Sequence, residues 1–313
     1  MILGHFDIKV NYMKIVDIKG TCQADPYVIY FNNKFYMYCT GVEGVQCYSS
    51  QHVDKGWQYV GIVLTQQGCK EYWAPCVFEQ DGTFYMYYSS MPTNCDDVHQ
   101  QQIKVATSSS PMGPFAFVKE LLPPFSIDPH VVKNHSGLYM FYSVNDYNAQ
   151  RAGTYIVCDK MVDFFEMQNQ PKAMVVPTLD EEIFQKDRFV QGQHWHTIEG
   201  AFYFFKDGYH YCMYSGNCYE KPTYHIGYAV SNQPFDKLNQ LDFDKHVQLP
   251  FEPLIATNDT ETSTGHNSMI VADDVMYVVY HGRDLSDGTC HQPRTARICK
   301  LFANNGKLTV ERI

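Results

Sequence analysis

Residues 84–89 read Phe84-Tyr85-Met86-Tyr87-Tyr88-Ser89, and similar phrases occur four more times. They are Phe35-Tyr36-Met37-Tyr38-Cys39-Thr40, Leu138-Tyr139-Met140-Phe141-Tyr142-Ser143, His210-Tyr211-Cys212-Met213-Tyr214-Ser215 and Met276-Tyr277-Val278-Val279-Tyr280-His281. Aromatic-rich runs of this kind favour strands. With the second-position tyrosine as anchor, successive copies lie 49, 54, 72 and 66 residues apart. Such intervals are too long for repeating hairpins and suit four-stranded propeller blades with loop insertions. Before every anchor lies another strand-like run, set off by Asn32-Asn33-Lys34, Asp81-Gly82, His135-Ser136-Gly137, Lys206-Asp207-Gly208 or Asp273-Asp274. These residues tolerate the positive φ of tight hairpins. Runs at 103–107, 154–158, 225–230, 294–301 and 307–310 supply outer strands. No window carries a helical period and no Gly, Pro and Ser linker divides the chain. The expected fold is all-β, a single five-bladed β-propeller domain over residues 1–313. Whether the segment 2–18 closes the ring or packs beneath it is left open by the pattern.

Composition narrows the function classes. The 313 residues are 45% hydrophobic and 19% charged, which excludes disordered and coiled-coil chains. A net charge of -10 argues against a nucleic-acid partner, which would call for a basic patch. Aromatic residues make up 15% of the chain, in keeping with strands and with sites for flat ligands such as sugars. No apolar run reaches the roughly 18 residues of a membrane span, so no membrane partner is expected. Residues 1–10 carry Gly4, His5 and Asp7 where a signal peptide keeps its apolar stretch. The 11 cysteines are odd in number and form no CxxC pair, as suits reduced thiols. A cytoplasmic protein is expected.

Counting back eleven residues from an anchor gives Asp25, Ala74, Asp128 and His266. Glu199 stands twelve before Tyr211, which implies one extra residue in the fourth hairpin. In a propeller the first strand of each blade lines the central channel, so Asp25, Asp128, Glu199 and His266 are expected to converge. Three carboxylates in a partly dry funnel raise one another's pKa, an arrangement kept chiefly for function. Paired carboxylates suit glycoside cleavage: a protonated one donates to the leaving oxygen while an ionised one activates water or attacks carbon. A third tunes the acid. Trp73, beside Ala74, offers an apolar face to a sugar ring.

The phrases Ala24-Asp25-Pro26-Tyr27-Val28, Trp73-Ala74-Pro75-Cys76-Val77, Ile127-Asp128-Pro129-His130-Val131, Ile198-Glu199-Gly200-Ala201 and Gly265-His266-Asn267-Ser268 resemble those of glycoside hydrolase family 43 from about residue 20 to 310. The resemblance implies a five-bladed propeller that inverts configuration, with Asp25 as general base, Glu199 as general acid and Asp128 as the residue that orients the acid and sets its pKa. It also implies a channel histidine, here His266, near a Ca2+ ion held mostly through water, and no cofactor required for the chemistry itself. A last-blade arginine against the sugar is implied as well. Both Arg294 and Arg297 qualify on opposite strand faces, and Arg294 is preferred. The ring-rich segment 191–197, with His196, would wall the pocket; its His-x-His spacing lacks a third metal ligand. Asn217 and Tyr219 read as rim residues. The expectation is an exo-acting, inverting α-L-arabinofuranosidase on small arabinose-containing oligosaccharides. β-Xylosidase is the alternative, because the same carboxylates serve both pentoses. A non-catalytic sugar-binding propeller, whose carboxylates only hydrogen-bond hydroxyls, is the reading from another class.

Overall fold

The anchor phrases form second strands of antiparallel meanders, flanked on both sides by partners that the same composition favours. A computed structural model describes residues 14–16, 22–285 and 293–313. Of the segment 2–18 only 14–16 is described, and Lys14 there bridges to Arg297. The first meander is β1 (Tyr27–Phe31), β2 (Lys34–Cys39), β3 (Val45–Ser50) and β4 (Gln58–Leu64). The second is β5 (Cys69–Gln80), β6 (Thr83–Pro92), β7 (Gln102–Ser108) and β8 (Ala116–Glu120). The third comprises β9 (Ile127–Asn134), β10 (Gly137–Asp146) and β11 (Gly153–Asp163), with β12 (Glu166–Met167) and β13 (Lys172–Val175) both paired to β11. After β14 (Ile183–Gln185) comes the fourth, β15 (Trp195–Lys206), β16 (Tyr209–Gly216), β17 (His225–Ser231) and β18 (Asp244–Lys245). The last is β19 (Glu261–Ala272), β20 (Val275–Asp284), β21 (Thr295–Asn304) and β22 (Lys307–Arg312).

By hydrogen bonding these make four sheets, because a short parallel pairing of β11 with β15, Gly153 with His196 and Thr154 with Thr197, joins the third and fourth meanders. Helix occurs among the described residues only as 3-10 turns, including those at Val98–Gln100, Asp180–Glu182 and Leu238–Gln240. Among the described residues no helix is long and apolar enough to cross a membrane. The first strands touch in cyclic order, β1 to β5, β5 to β9, β9 to β15, β15 to β19 and β19 back to β1. Apolar clusters fill the spaces between successive meanders in the same order. Another cluster, with Met37, Tyr48 and Val279, joins the last meander to the first. This is where the tyrosines of the anchor phrases go: Tyr38, Tyr88, Tyr139, Tyr211 and Tyr280 are fully buried.

The hairpins correct one expectation. Every inner hairpin closes on a two-residue turn, and the fourth, Asp207-Gly208 between Lys206 and Tyr209, is no longer than the others. Tyr211 pairs with Phe204, as Tyr36 does with Ile29, Tyr85 with Phe78, Tyr139 with Val132 and Tyr277 with Ile270. The residue equivalent to Asp25, Ala74, Asp128 and His266 is therefore Gly200, and Glu199 stands one position ahead of it.

Two residues beyond that position each inner strand turns a side chain to the axis. Tyr27, His130 and Phe202 pack together, with His130 and Phe202 rings 4.2 Å apart and Tyr27 6.1 Å from both. Cys76 Sγ accepts from the Val131 N–H, and Ser268 Oγ donates to Pro26 O at 2.8 Å. These five residues share one register, two past the shared position, on the five inner strands.

Candidate active site

At the shared position all five inner strands leave regular β geometry. Asp25, Ala74, Asp128, Gly200 and His266 have φ of 53°, 45°, 58°, 63° and 47°. Pairing with the second strand slips there in the last four meanders. In the first, it resumes past Asp25 through the Thr40 N–H donating to Ala24 O. A bulge with a left-handed residue bends the strand and re-aims the side chain. Aspartate and histidine tolerate that conformation and glycine favours it, whereas alanine is strained in it. At Gly200 a Cβ would also lie 3.1 Å from His266 Nδ1.

The outcome is a cavity of about 360 Å³ lined by Asp25, Asp128, Glu199, His266, Arg294 and Trp73, with Tyr219 and Tyr224 on one wall. Asp25 is nearly buried. Its Oδ1 lies 3.3 Å from Arg294 Nη1, 3.4 Å from His266 Nδ1 and 3.3 Å from His281 Nδ1, and its Oδ2 accepts from the Thr40 hydroxyl. Burial alone would raise this carboxyl. The Arg294 guanidinium, His266 and His281 outweigh it and hold Asp25 well below the usual carboxylate range. Among the described residues Asp128 has no cation in contact. Burial, then the charges of Glu199 and Asp25, push it well up, and its Oδ2 accepts the Gly200 N–H at 3.1 Å. Burial pushes Glu199 up to about 7, against the Tyr224 hydroxyl, which donates to Oε1 at 2.8 Å. The site thus holds one carboxylate that stays ionised beside a pair that keeps a proton towards neutrality, the division of labour acid and base catalysis requires.

Arg294 also stacks on the Tyr219 ring, 4.6 Å from its centroid. Arg297 turns away into buried ion pairs with Glu261 at 3.4 Å and Asp284 at 2.8 Å, as strand alternation demands. Two of the expected substrate contacts lie elsewhere. His196 sits at the β11–β15 junction: its N–H donates to Ala152 O at 2.9 Å, and its ring lies between Ala152 O and Arg151. With 191–194 and 149–152 it lines a separate cavity of about 640 Å³, so this segment does not wall the carboxylate pocket. Asn217 occupies a turn at φ 77°, where its Oδ1 accepts from the Cys218 N–H and the Thr223 hydroxyl and its amide donates to Glu181 O. It too lines a different cavity.

The residues passed over are Thr40, His281, Tyr224 and Glu71. Thr40 and His281 had a readable signal. Both stand four after their anchors, a polar end to the repeated phrase that Ser89, Ser143 and Ser215 share, and Ser215 Oγ accepts from the His266 N–H at 2.7 Å. Tyr224 lies in a loop with no repeat to mark it. For calcium the donors do not fit direct ligation. The ion takes roughly six to eight oxygens, whereas His266 offers one nitrogen against a carboxylate already engaged by Arg294. Among the described residues no three His, Cys, Asp or Glu side chains are grouped to hold a metal. Ten cysteines are described and all are free; Cys290 lies outside the described residues.

Comparison with known proteins finds the sequence family described as "Glycosyl hydrolases family 43" matching residues 18–308. A probable arabinan endo-1,5-α-L-arabinosidase B of Aspergillus oryzae is 36% identical over 106 residues, 32% of this chain and 28% of that protein. The chain thus matches less than a third of the length of that relative. Among solved structures, a thermostable family-43 glycoside hydrolase superimposes with a TM-score of 0.78 at 28% identity, covering 94% of this chain and 95% of that one. An endo-1,4-β-xylanase from Bacteroides thetaiotaomicron superimposes with a TM-score of 0.74 at 26% identity, covering 96% and 95%.

Proposed function

Because the chain belongs to glycoside hydrolase family 43, we propose that it is an inverting, exo-acting α-L-arabinofuranosidase that releases L-arabinofuranose from arabino-oligosaccharides. The observation that carries the reading is one cavity in which Asp25 is held low while Glu199 is pushed up to about 7. Asp25, ionised, takes a proton from water as that water attacks the anomeric carbon. Glu199, protonated, gives its proton to the departing oxygen. Asp128 acts as the positioning residue: its carboxyl accepts the Gly200 N–H and fixes the backbone beside Glu199, with which it shares a proton towards neutrality. Arg294 keeps Asp25 ionised and presents donors to the sugar hydroxyls, and Trp73 supplies an apolar face. The cyclic contacts of the inner strands support reading the five meanders as five blades of a propeller.

A cavity of about 360 Å³ suits the end of a chain better than its middle. The xylan-directed name of the 26% identical structure is the reason to keep β-xylosidase as the second reading. Turnover of p-nitrophenyl α-L-arabinofuranoside should exceed that of the β-D-xyloside. Dominant xyloside turnover would transfer the assignment, and absence of both would end it. Linear arabino-oligosaccharides should yield arabinose with the inverted anomer appearing first by NMR; internal fragments or a retained anomer contradict the proposal.

A further inference from the structure

Three residues before its shared position, β5 brings a fourth carboxylate to the cavity wall. Glu71 has φ 56°, a conformation that costs a non-glycine residue free energy and that its surroundings must enforce. They do so on both sides. Its N–H donates to Val42 O at 2.8 Å, and its C=O accepts from the amide of fully buried Gln101 at 3.0 Å. The side chain is fixed as well, since Trp73 Nε1 donates to Oε2 at 2.9 Å. No donor among the described residues meets Oε1. The result is a strained backbone that holds a carboxylate beside the indole, with one oxygen available on a wall of the cavity.

Depth in the cavity decides what that oxygen meets. At the floor, the Ala74 N–H donates to the Thr40 hydroxyl, which itself donates to Asp25. Glu71 is tied instead to Val42, which is 61% exposed and marks the rim. Three residues of strand separate the two levels by roughly 7–10 Å, too far for the ring under attack and within reach of the next. Mutually fixed carboxylate and indole are the means by which a protein grips a sugar, the acid accepting from hydroxyls and the ring covering a face.

We infer that Glu71 determines specificity for the second sugar, its free oxygen accepting a hydroxyl of the pentose adjoining the one held over Asp25 and Glu199. The inference rests on the glycosidase reading for the identity of the sugar, and it predicts that affinity grows with the second ring. Glu71→Ala should raise KM for arabinotriose about tenfold, as loss of a charge-assisted hydrogen bond does, with kcat within about twofold. The same variant should leave kcat/KM on the p-nitrophenyl arabinoside, which has no second sugar, within about twofold. Glu71→Gln, which keeps an acceptor but not the charge, should fall between. If Glu71 only orients Trp73, both Glu71→Ala and Trp73→Phe lower kcat/KM equally on triose and aryl glycoside, and the inference is overturned. Calorimetric titration in the Glu199→Gln background separates this from failure of the hydrolase assignment. There, Glu71→Ala should weaken arabinotriose binding about tenfold and leave arabinose binding unchanged. Equal weakening of both, or of neither, defeats it whether or not the wild type turns over.

Discussion

Asp25 and Glu199 are displaced in opposite senses, and in the proposed roles of base and acid each displacement fixes one limb of the pH profile. A general base works ionised, so the rate falls as pH drops through the pKa of Asp25, below the usual carboxylate range. A general acid works protonated, so the rate falls as pH rises through the value near 7 to which Glu199 is pushed. That alkaline limb belongs to the Glu199 and Asp128 pair, whose protons leave in coupled steps. Tyr224 stabilises the ionised form by donating to it. Tyr224→Phe should therefore move the alkaline limb of kcat/KM to higher pH; a limb that stays in place shows that the hydroxyl does not act on Glu199. Glu199→Gln should lower kcat on arabino-oligosaccharides by about 10²- to 10⁴-fold and less on the p-nitrophenyl glycoside, whose leaving group needs no proton. Linkage adds a second readout. Because the folded pKa of Glu199 lies above the ordinary 4.5, its contribution to stability is present in acid and lost as pH rises through 7. The variant lacks that loss, so its Tm should exceed the wild-type Tm at pH 8 and match it at pH 4.

At the level of elements the bulge at each inner strand decides which side chains face the cavity. The repeated phrases made the strands and most of the register readable, because tyrosine and phenylalanine recur where the meanders pack. The bulge was not readable, since a left-handed residue breaks the period-two alternation from which facing is inferred. That is why Glu199 was explained by a longer hairpin, when the strand instead puts Gly200 at the left-handed position and delivers the carboxylate from the residue before it. His196 was misassigned for a related reason: the parallel junction draws its ring towards Arg151, a pairing that no local pattern announces. Gly200→Ala tests the bulge. The left-handed φ should cost about 1–3 kcal/mol, lowering Tm, and the new Cβ against His266 should displace the N–H from Asp128 and reduce kcat. Gly208→Ala has a similar φ with nothing within 4 Å, and should lower Tm without touching kcat. Equal kcat losses in the two would show that strain alone is responsible.

For the whole molecule, the three acidic groups come from different meanders, and what aligns them is the axial packing of Tyr27, His130 and Phe202. The sequence announced the convergence through register but not this packing, because cysteine, histidine and serine at equivalent places share no chemical label. Phe202→Ala should cost about 3–5 kcal/mol, and loss of activity on heating should track loss of tertiary structure, since no single meander carries the site. Activity that outlasts the near-ultraviolet circular dichroism signal would contradict that dependence. If, as proposed, the cavity takes only the end of an arabino-oligosaccharide, the severed sugar shares its mouth with the remainder of the substrate, so the longer piece lets go first and each cut needs a fresh encounter.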